Sequence, residues 1–162
     1  MRKMRTSTAT HMTNALTIRS AVACERAALE ALQRRAALSN AGDREALLAN
    51  PDAIVLPPEQ ITAGQVFVAE RDGAIVGFAC VLPRRDNAAE LDGLFVEPNV
   101  WRQGIGRLLV DHGCAFARAR GAAALHVVGN SHAEGFYKAC GFESTGTHRT
   151  RFGVGLLMQK QL

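Results

Sequence analysis

The segment from Leu94 to Leu109, LFVEPNVWRQGIGRLL, constrains this chain more than any other stretch of it. An apolar strand runs through a Pro turn into a Gly-x-Gly that opens an amphipathic helix. Gly104 and Gly106 carry no Cβ, so the loop can turn tightly and bring its backbone close to a ligand. The first amides of the helix have no partner inside it, and with the positive end of the helix dipole they attract an anion. Two nucleotide loops are excluded. A dinucleotide fold wants a third Gly where Leu109 stands, and the Gly-Lys-Ser/Thr of a P-loop occurs nowhere in the chain. A plainer account, a strand-to-helix turn that uses Gly for geometry alone, stays open on this segment by itself.

A second segment narrows the choice. From Asn130 to Phe142, NSHAEGFYKACGF, a polar strand end leads into a short helix stopped by Gly141. Together the two segments resemble the GNAT family of acetyltransferases. The family's Arg/Gln-x-x-Gly-x-Gly/Ala motif falls on Trp101, Arg102, Gln103, Gly104, Ile105 and Gly106. Its Asn, Ala, Phe-Tyr and Gly-Phe pattern falls on Asn130, Ala133, Phe136, Tyr137, Gly141 and Phe142. Two motifs in the right order and separation are far more specific than either alone, and the likeness extends from about Gly64 to Phe142. One position departs from the pattern. Trp101 stands where the family usually has Arg or Gln, so Arg102 and Gln103 are left to supply side-chain donors, and Trp101 is expected to pack against the helix or an adenine ring.

The resemblance implies a mixed α/β fold: a mostly antiparallel central sheet of about seven strands, flanked by about four helices, whose central strands splay apart. The pantetheine arm of acetyl-CoA would lie in that gap, bonded by the backbone of Leu94, Phe95 and Val96 as an extra strand would be. Arg102, Gln103, Gly104, Ile105, Gly106 and Arg107 would hold the phosphates, with Asn130 across the groove. It also implies that Tyr137 stands beside the sulfur, where its phenol, a neutral donor with an ordinary pKa near 10, can protonate the departing thiolate. An aromatic pair Phe136-Tyr137 that only caps the core is the plainer account. For the base, Glu90 matches a strand position that carries a catalytic Glu in several histone-type members. Asp92 lies on the same face by period two and is the alternative, as base or as a binding group for a cationic substrate, and a water chain is a third.

Composition sets bounds without choosing among these roles. At 162 residues, with 48% apolar and 21% charged residues, the chain falls in the ordinary globular range. A chain of this size buries roughly two-thirds of its unfolded surface, enough for one core without staples. Residues 14–162 are therefore read as a single domain, and residues 1–13, basic and Ser/Thr-rich without apolar periodicity, as a disordered tail. No run of about 18 apolar residues exists to span a membrane. Cys24, Cys80, Cys114 and Cys140 stand far apart with no His at ligand spacing, so no metal site is expected. They read as small buried thiols of a cytoplasmic protein. A net charge of +4 suits an anionic cofactor as well as a nucleic acid. Without a basic stripe interleaved with aromatics, nucleic acid ranks below an amine as partner.

Along the chain, a strand at Leu16–Ile18 precedes a helix over Val22–Leu38 and another over Asp43–Ala49, and Pro57-Pro58 marks a loop. Residues 65–70 and 74–82 form a hairpin about Asp72-Gly73. A strand follows over 89–96, then a helix over 104–120 with Ile105, Leu108, Leu109, His112, Phe116 and Ala119 on its buried stripe. His112 reads as a hydrogen-bonded core or boundary residue. A strand over 125–129, the motif helix capped by Asn130 or Ser131, and strands over 142–147 and 154–159 complete the order. The expected activity is transfer of an acetyl group from acetyl-CoA to a primary amine of a small molecule or peptide, by direct attack in a ternary complex. A non-catalytic acyl-CoA-binding regulatory module is the alternative, an RNA-modifying acetyltransferase a more distant one, and a homodimer is left open.

Overall fold

A computed structural model describes residues 15–162; the basic tail expected over 1–13 lies outside the described residues. Seven strands, β1 (Leu16–Ser20), β2 (Val66–Arg71), β3 (Ala74–Pro83), β4 (Ala89–Val96), β5 (Ala124–Gly129), β6 (Glu143–Thr150) and β7 (Gly153–Gln161), form one sheet in the order β1-β2-β3-β4-β5-β7-β6. Every neighbouring pair is antiparallel except β4 and β5. The helices are α1 (Arg26–Leu38), α2 (Ala41–Ala49), α3 (Pro58–Thr62), α4 (Ile105–Ala119) and α5 (Glu134–Ala139).

The β2–β3 hairpin turns where the sequence predicts. Asp72 and Gly73 both take positive φ, 52° and 78°, the pair of left-handed positions that a two-residue turn needs to match strand twist. The parallel pair is the informative one. β4 and β5 pair only at Ala89↔Leu125 and Glu90↔His126 and then diverge, so the expected splay in mid-sheet is present. Beyond those two residues the facing edges of β4 and β5 are free of each other, and a cleft opens between them.

Two apolar clusters cover the two faces. On one, Ile105, Leu109, Val110, Cys114 and Ala117 of α4 pack on Ala79, Val81, Leu91 and Leu125 of the sheet, with Tyr137 and Phe142 beside them. On the other, Leu29 and Leu32 of α1 and Ile61 of α3 cover Val66, Val68, Phe78 and Cys80. Each such fully buried aliphatic or aromatic side chain contributes about 1.5–3 kcal/mol. A third tie is electrostatic: Arg19 of β1 reaches Glu25, ahead of α1, and Glu70 of β2, both at 2.6 Å. The Arg19 guanidinium holds the Glu25 carboxyl below its usual range.

Several local expectations are corrected. The Pro57-Pro58 loop contains a short helix, because Pro58 occupies its first turn, where a missing N–H costs nothing. Leu108 is exposed, while Val110, Cys114 and Ala117 are buried; the packed stripe of α4 is turned from the one read along the sequence. Cys24 is exposed, although Cys80, Cys114 and Cys140 are buried. His112 packs against the Phe67 ring, tilted 58° with centroids 4.6 Å apart, so ring contact holds it at the boundary, and burial lowers its pKa.

Candidate active site

The strand β4 is not regular. Val81 lies opposite Leu91 and Cys80 opposite Gly93, which leaves Asp92 without a partner in β3. The packing shows the same extra residue: Ala89 and Leu91 face the α4 side, and the next to do so are Leu94 and Val96. This is a β-bulge, and it re-aims the residues around it. Past the bulge, the Glu97 amide still bonds to the Val76 carbonyl at 2.8 Å. By strand alternation the polar backbone of Phe95 therefore faces β3, while that of Leu94 and Val96 faces the gap left by β5. Of the three residues expected to bond an extended ligand through their backbone, two are turned toward it. Phe95 presents its side chain to the cleft region instead and packs against Phe78.

The cleft, about 1190 Å³, is lined by Leu94, Phe95, Val96, Arg102, Gly104, Ile105, Gly106, Arg107, Asn130 and Tyr137 of the expected site. Gln103 and Glu90 lie outside the lining. At the loop, Arg102 and Gly104 both take left-handed φ, 63° and 83°. Such turns gather successive N–H groups into an anion-binding concavity ahead of a helix. Gly106 makes a different contact: a Cβ there would come within 3.2 Å of the Phe136 ring, which would have to shift. The absence of a side chain lets the start of α4 pack directly on the motif helix.

Gln103 points elsewhere, since its Oε1 accepts from Arg71 Nη1 at 2.8 Å. Arg71, at the end of β2, thus braces the loop from outside the cleft, and its own Nε is buried without a partner among the described residues. Trp101 lines the cleft and is tied to β4. Its Nε1–H donates to the Val96 carbonyl at 2.8 Å, which takes one of the gap-facing acceptors of β4.

Tyr137 is buried, with its ring packed on Gly129, Phe136 and Phe142. Burial pushes its phenol well above the ordinary value, with Cys140 and Asp43 adding to the rise, so it stays protonated at neutral pH. Asp92 lines the cleft, and burial by the surrounding walls lifts its carboxyl above the usual range. Glu90 instead sits in the paired part of the sheet, between Leu82 of β3 and His126 of β5.

Asn130 caps the motif helix as anticipated, its Oδ1 accepting from the Ala133 amide at 3.1 Å. Its Nδ2 donates to Asp43 Oδ1 at 2.8 Å, and His132 Nε2 stands 3.7 Å from the other Asp43 oxygen. Sequence reasoning missed Asp43, which it took only as an acidic residue at a helix start. Nothing along the chain signals a contact between residues 43 and 130.

Comparison with known proteins agrees with this geometry. The profile described as "Acetyltransferase (GNAT) family" matches residues 27–142. Over 56 residues the chain is 45% identical to the peptidyl-lysine N-acetyltransferase YjaB of Salmonella typhimurium, a stretch that covers 35% of this chain and 37% of that protein. The match therefore spans just over a third of that relative's length. The PaiA N-acetyltransferase of Thermoplasma acidophilum, solved with coenzyme A, superposes with a TM-score of 0.76 at 19% identity, over 91% of this chain and 99% of that one. The ribosomal-protein-alanine N-acetyltransferase of Brucella melitensis superposes with a TM-score of 0.66 at 28% identity, over 90% and 99%.

Proposed function

Because the chain belongs to the GNAT family of acetyltransferases, we propose that it moves an acetyl group from acetyl-CoA to a primary amine, with both substrates bound at once. The observation that carries this reading is the continuity of one cleft. It runs from the left-handed turns at Arg102 and Gly104, past the gap-facing backbone of Leu94 and the Val96 amide, to the Tyr137 and Asp92 side chains. The anion-binding turn suits the pyrophosphate, and the free edge suits the amides of the pantetheine arm. Arg102 and Arg107 add positive charge at the same end. Retention of Tyr137, buried and protonated, weighs against a module that only binds acyl-CoA.

In the transfer step the neutral amine nitrogen attacks the thioester carbonyl carbon; a C–N bond forms and the C–S bond breaks. The attacking group starts as an ammonium, since an aliphatic amine has an ordinary pKa of about 10.4, so a proton must leave it first. Asp92 is the acceptor we assign, directly or through one water, because it lines the cleft and its raised pKa makes it a better base than an ordinary carboxylate. Glu90, paired within the sheet and outside the lining, is assigned no direct part in the proton transfer. The carbonyl oxygen gathers negative charge that the gap-facing N–H of Val96 is suited to stabilise. Tyr137 gives its phenolic proton to the departing thiolate. The nitrogen gives up two protons in all: the first, lost as the ammonium is neutralised, passes through Asp92 to solvent, and the second, lost as the tetrahedral adduct collapses to the amide, replaces the proton that Tyr137 gave to the thiolate. Buried and unpaired Cys80, Cys114 and Cys140 support a reducing, cytoplasmic setting.

The test is calorimetric titration with acetyl-CoA, followed in the same sample by thiol release over a panel of amines. Binding with amine-dependent release is the expected result. Binding without release for any amine would favour the regulatory module, and absence of binding would remove the reading altogether.

A further inference from the structure

The cleft divides by charge, and the division speaks to the acceptor. Among the described residues that line it, the Lys and Arg side chains are Arg102 and Arg107, both beside the glycine loop. The carboxylates are Asp43 and Asp92, contributed by α2 and by the β4 bulge. Of the cations that flank the cleft without lining it, Arg35 binds Glu97 at 2.7 Å and Arg151 binds Asp52 at 3.0 Å and Asn50 at 3.3 Å, while Arg44 and Arg149 lie outside the lining. An acidic acceptor would meet two like charges there, with no Lys or Arg of the described lining beside them. An ammonium would be drawn in.

The number of ammonium groups is also constrained. Asp43 already accepts from Asn130 and faces His132, which leaves Asp92 as the lining carboxylate with no partner among the described residues. A second ammonium on the same acceptor would be left against apolar wall. That wall is made by Leu47, Ile54, Phe152 and Val154, of which Phe152 is 51% and Val154 61% exposed. Large apolar side chains left open inside a cleft mark ligand contact. A peptide backbone laid on them would lose water from its amides without replacing those hydrogen bonds. The Arg151 contacts tie the β6–β7 turn to the chain after α2, which suits entry of a compact molecule.

We propose that the acceptor is a small monocationic amine with an apolar or aromatic body and no carboxylate, its ammonium at Asp92 and its body against Phe152, Val154, Leu47 and Ile54. This rests on the acetyl-transfer reading above. The test measures thiol release by the full chain with acetyl-CoA and, in turn, 2-phenylethylamine, ethanolamine, spermidine, L-glutamate and a Lys-containing peptide. The expected order has 2-phenylethylamine first, with kcat/KM at least about 100-fold above glutamate. The double variant Phe152→Ser, Val154→Ser should lower kcat/KM for 2-phenylethylamine about tenfold while leaving that for ethanolamine and the Kd for acetyl-CoA unchanged. Preference for spermidine, glutamate or the peptide, or an equal loss with both small amines, overturns the acceptor assignment and leaves acetyl transfer standing. Acetyl-CoA binding with no release from any amine overturns the transfer reading itself, and the acceptor assignment falls with it.

Discussion

The wall of the cleft that carries the glycine loop and the wall that faces it are held by different forces. The first is the start of α4, whose Ile105, Leu109 and Val110 are almost wholly buried against the sheet. The second is α2, in which Leu47 is the buried residue, joined to its surroundings by polar contacts: Asp43 to Asn130, and the chain beyond it, through Asn50 and Asp52, to Arg151. Apolar packing is dense and resists displacement. Exposed ion pairs contribute only about 0–1 kcal/mol each. The difference suggests a division of labour, with a preorganised wall for a constant co-substrate and a more yielding wall for the acceptor.

The largest effect should come from chemistry where the two walls meet. Tyr137→Phe removes one hydroxyl that no described residue hydrogen-bonds, so the fold and the acetyl-CoA Kd should be kept while kcat falls by about 10²–10⁴. Single-turnover thiol release at saturating acetyl-CoA checks this, and an unchanged kcat would remove Tyr137 as the acid.

Next comes Asp92. Activity that needs its ionised form should fall as pH drops through a value above the ordinary 3.8, and Asp92→Asn should lower kcat/KM about 10²-fold and abolish that acid limb. Stability should move the other way. Because burial raises this carboxyl in the folded state, the native protein keeps its proton longer than the unfolded chain, and stability declines as pH rises through the interval between the two values. Asp92→Asn should therefore match or exceed the parent Tm at pH 7. A variant that lost both activity and stability would point to a structural role instead.

The rigid wall is probed by Gly106→Ala. Its Cβ would press on Phe136, so overpacking should cost about 1–3 kcal/mol, read as weaker acetyl-CoA binding or a lower Tm. Phe136→Ala in the same chain should recover part of that loss. The smallest effect belongs to the yielding wall: Arg151→Ala should change stability by about 0–1 kcal/mol, a loss that shrinks in high salt. It should shift the KM of the amine more than that of acetyl-CoA. A large drop in Tm would show that this wall is not the softer of the two.

Several features were legible along the chain because their causes are local. Asp72-Gly73 supplies the left-handed pair of a tight turn, Gly104 and Gly106 supply a loop without Cβ atoms, and Asn130 caps the helix three residues on. Others were not. Period two put Glu90 and Asp92 on one face of a regular strand, but the bulge opposite Cys80 and Val81 breaks that period, and Asp92 enters the cleft lining where Glu90 does not. A bulge is a property of two strands in register, and the second strand is not visible in the sequence of the first. The α4 stripe was misjudged for a related reason, since Leu108 and Val110 are equally apolar and only the sheet beneath decides which is covered.

What the sequence alone determined is the family, the order of most elements and the glycine turn ahead of α4, each of which is carried by short runs of neighbouring residues. Tertiary structure decided which groups share the reaction space. Asp43 meets Asn130 across 87 residues, Arg151 meets Asn50 across 101, and Arg71 reaches Gln103 across 32. Trp101, five residues from Val96, takes its carbonyl only because the turn at Pro98 folds the chain back. Side-chain chemistry is written one residue at a time, but a contact between distant residues exists only once burial of the two apolar clusters has offset the entropy of bringing them together.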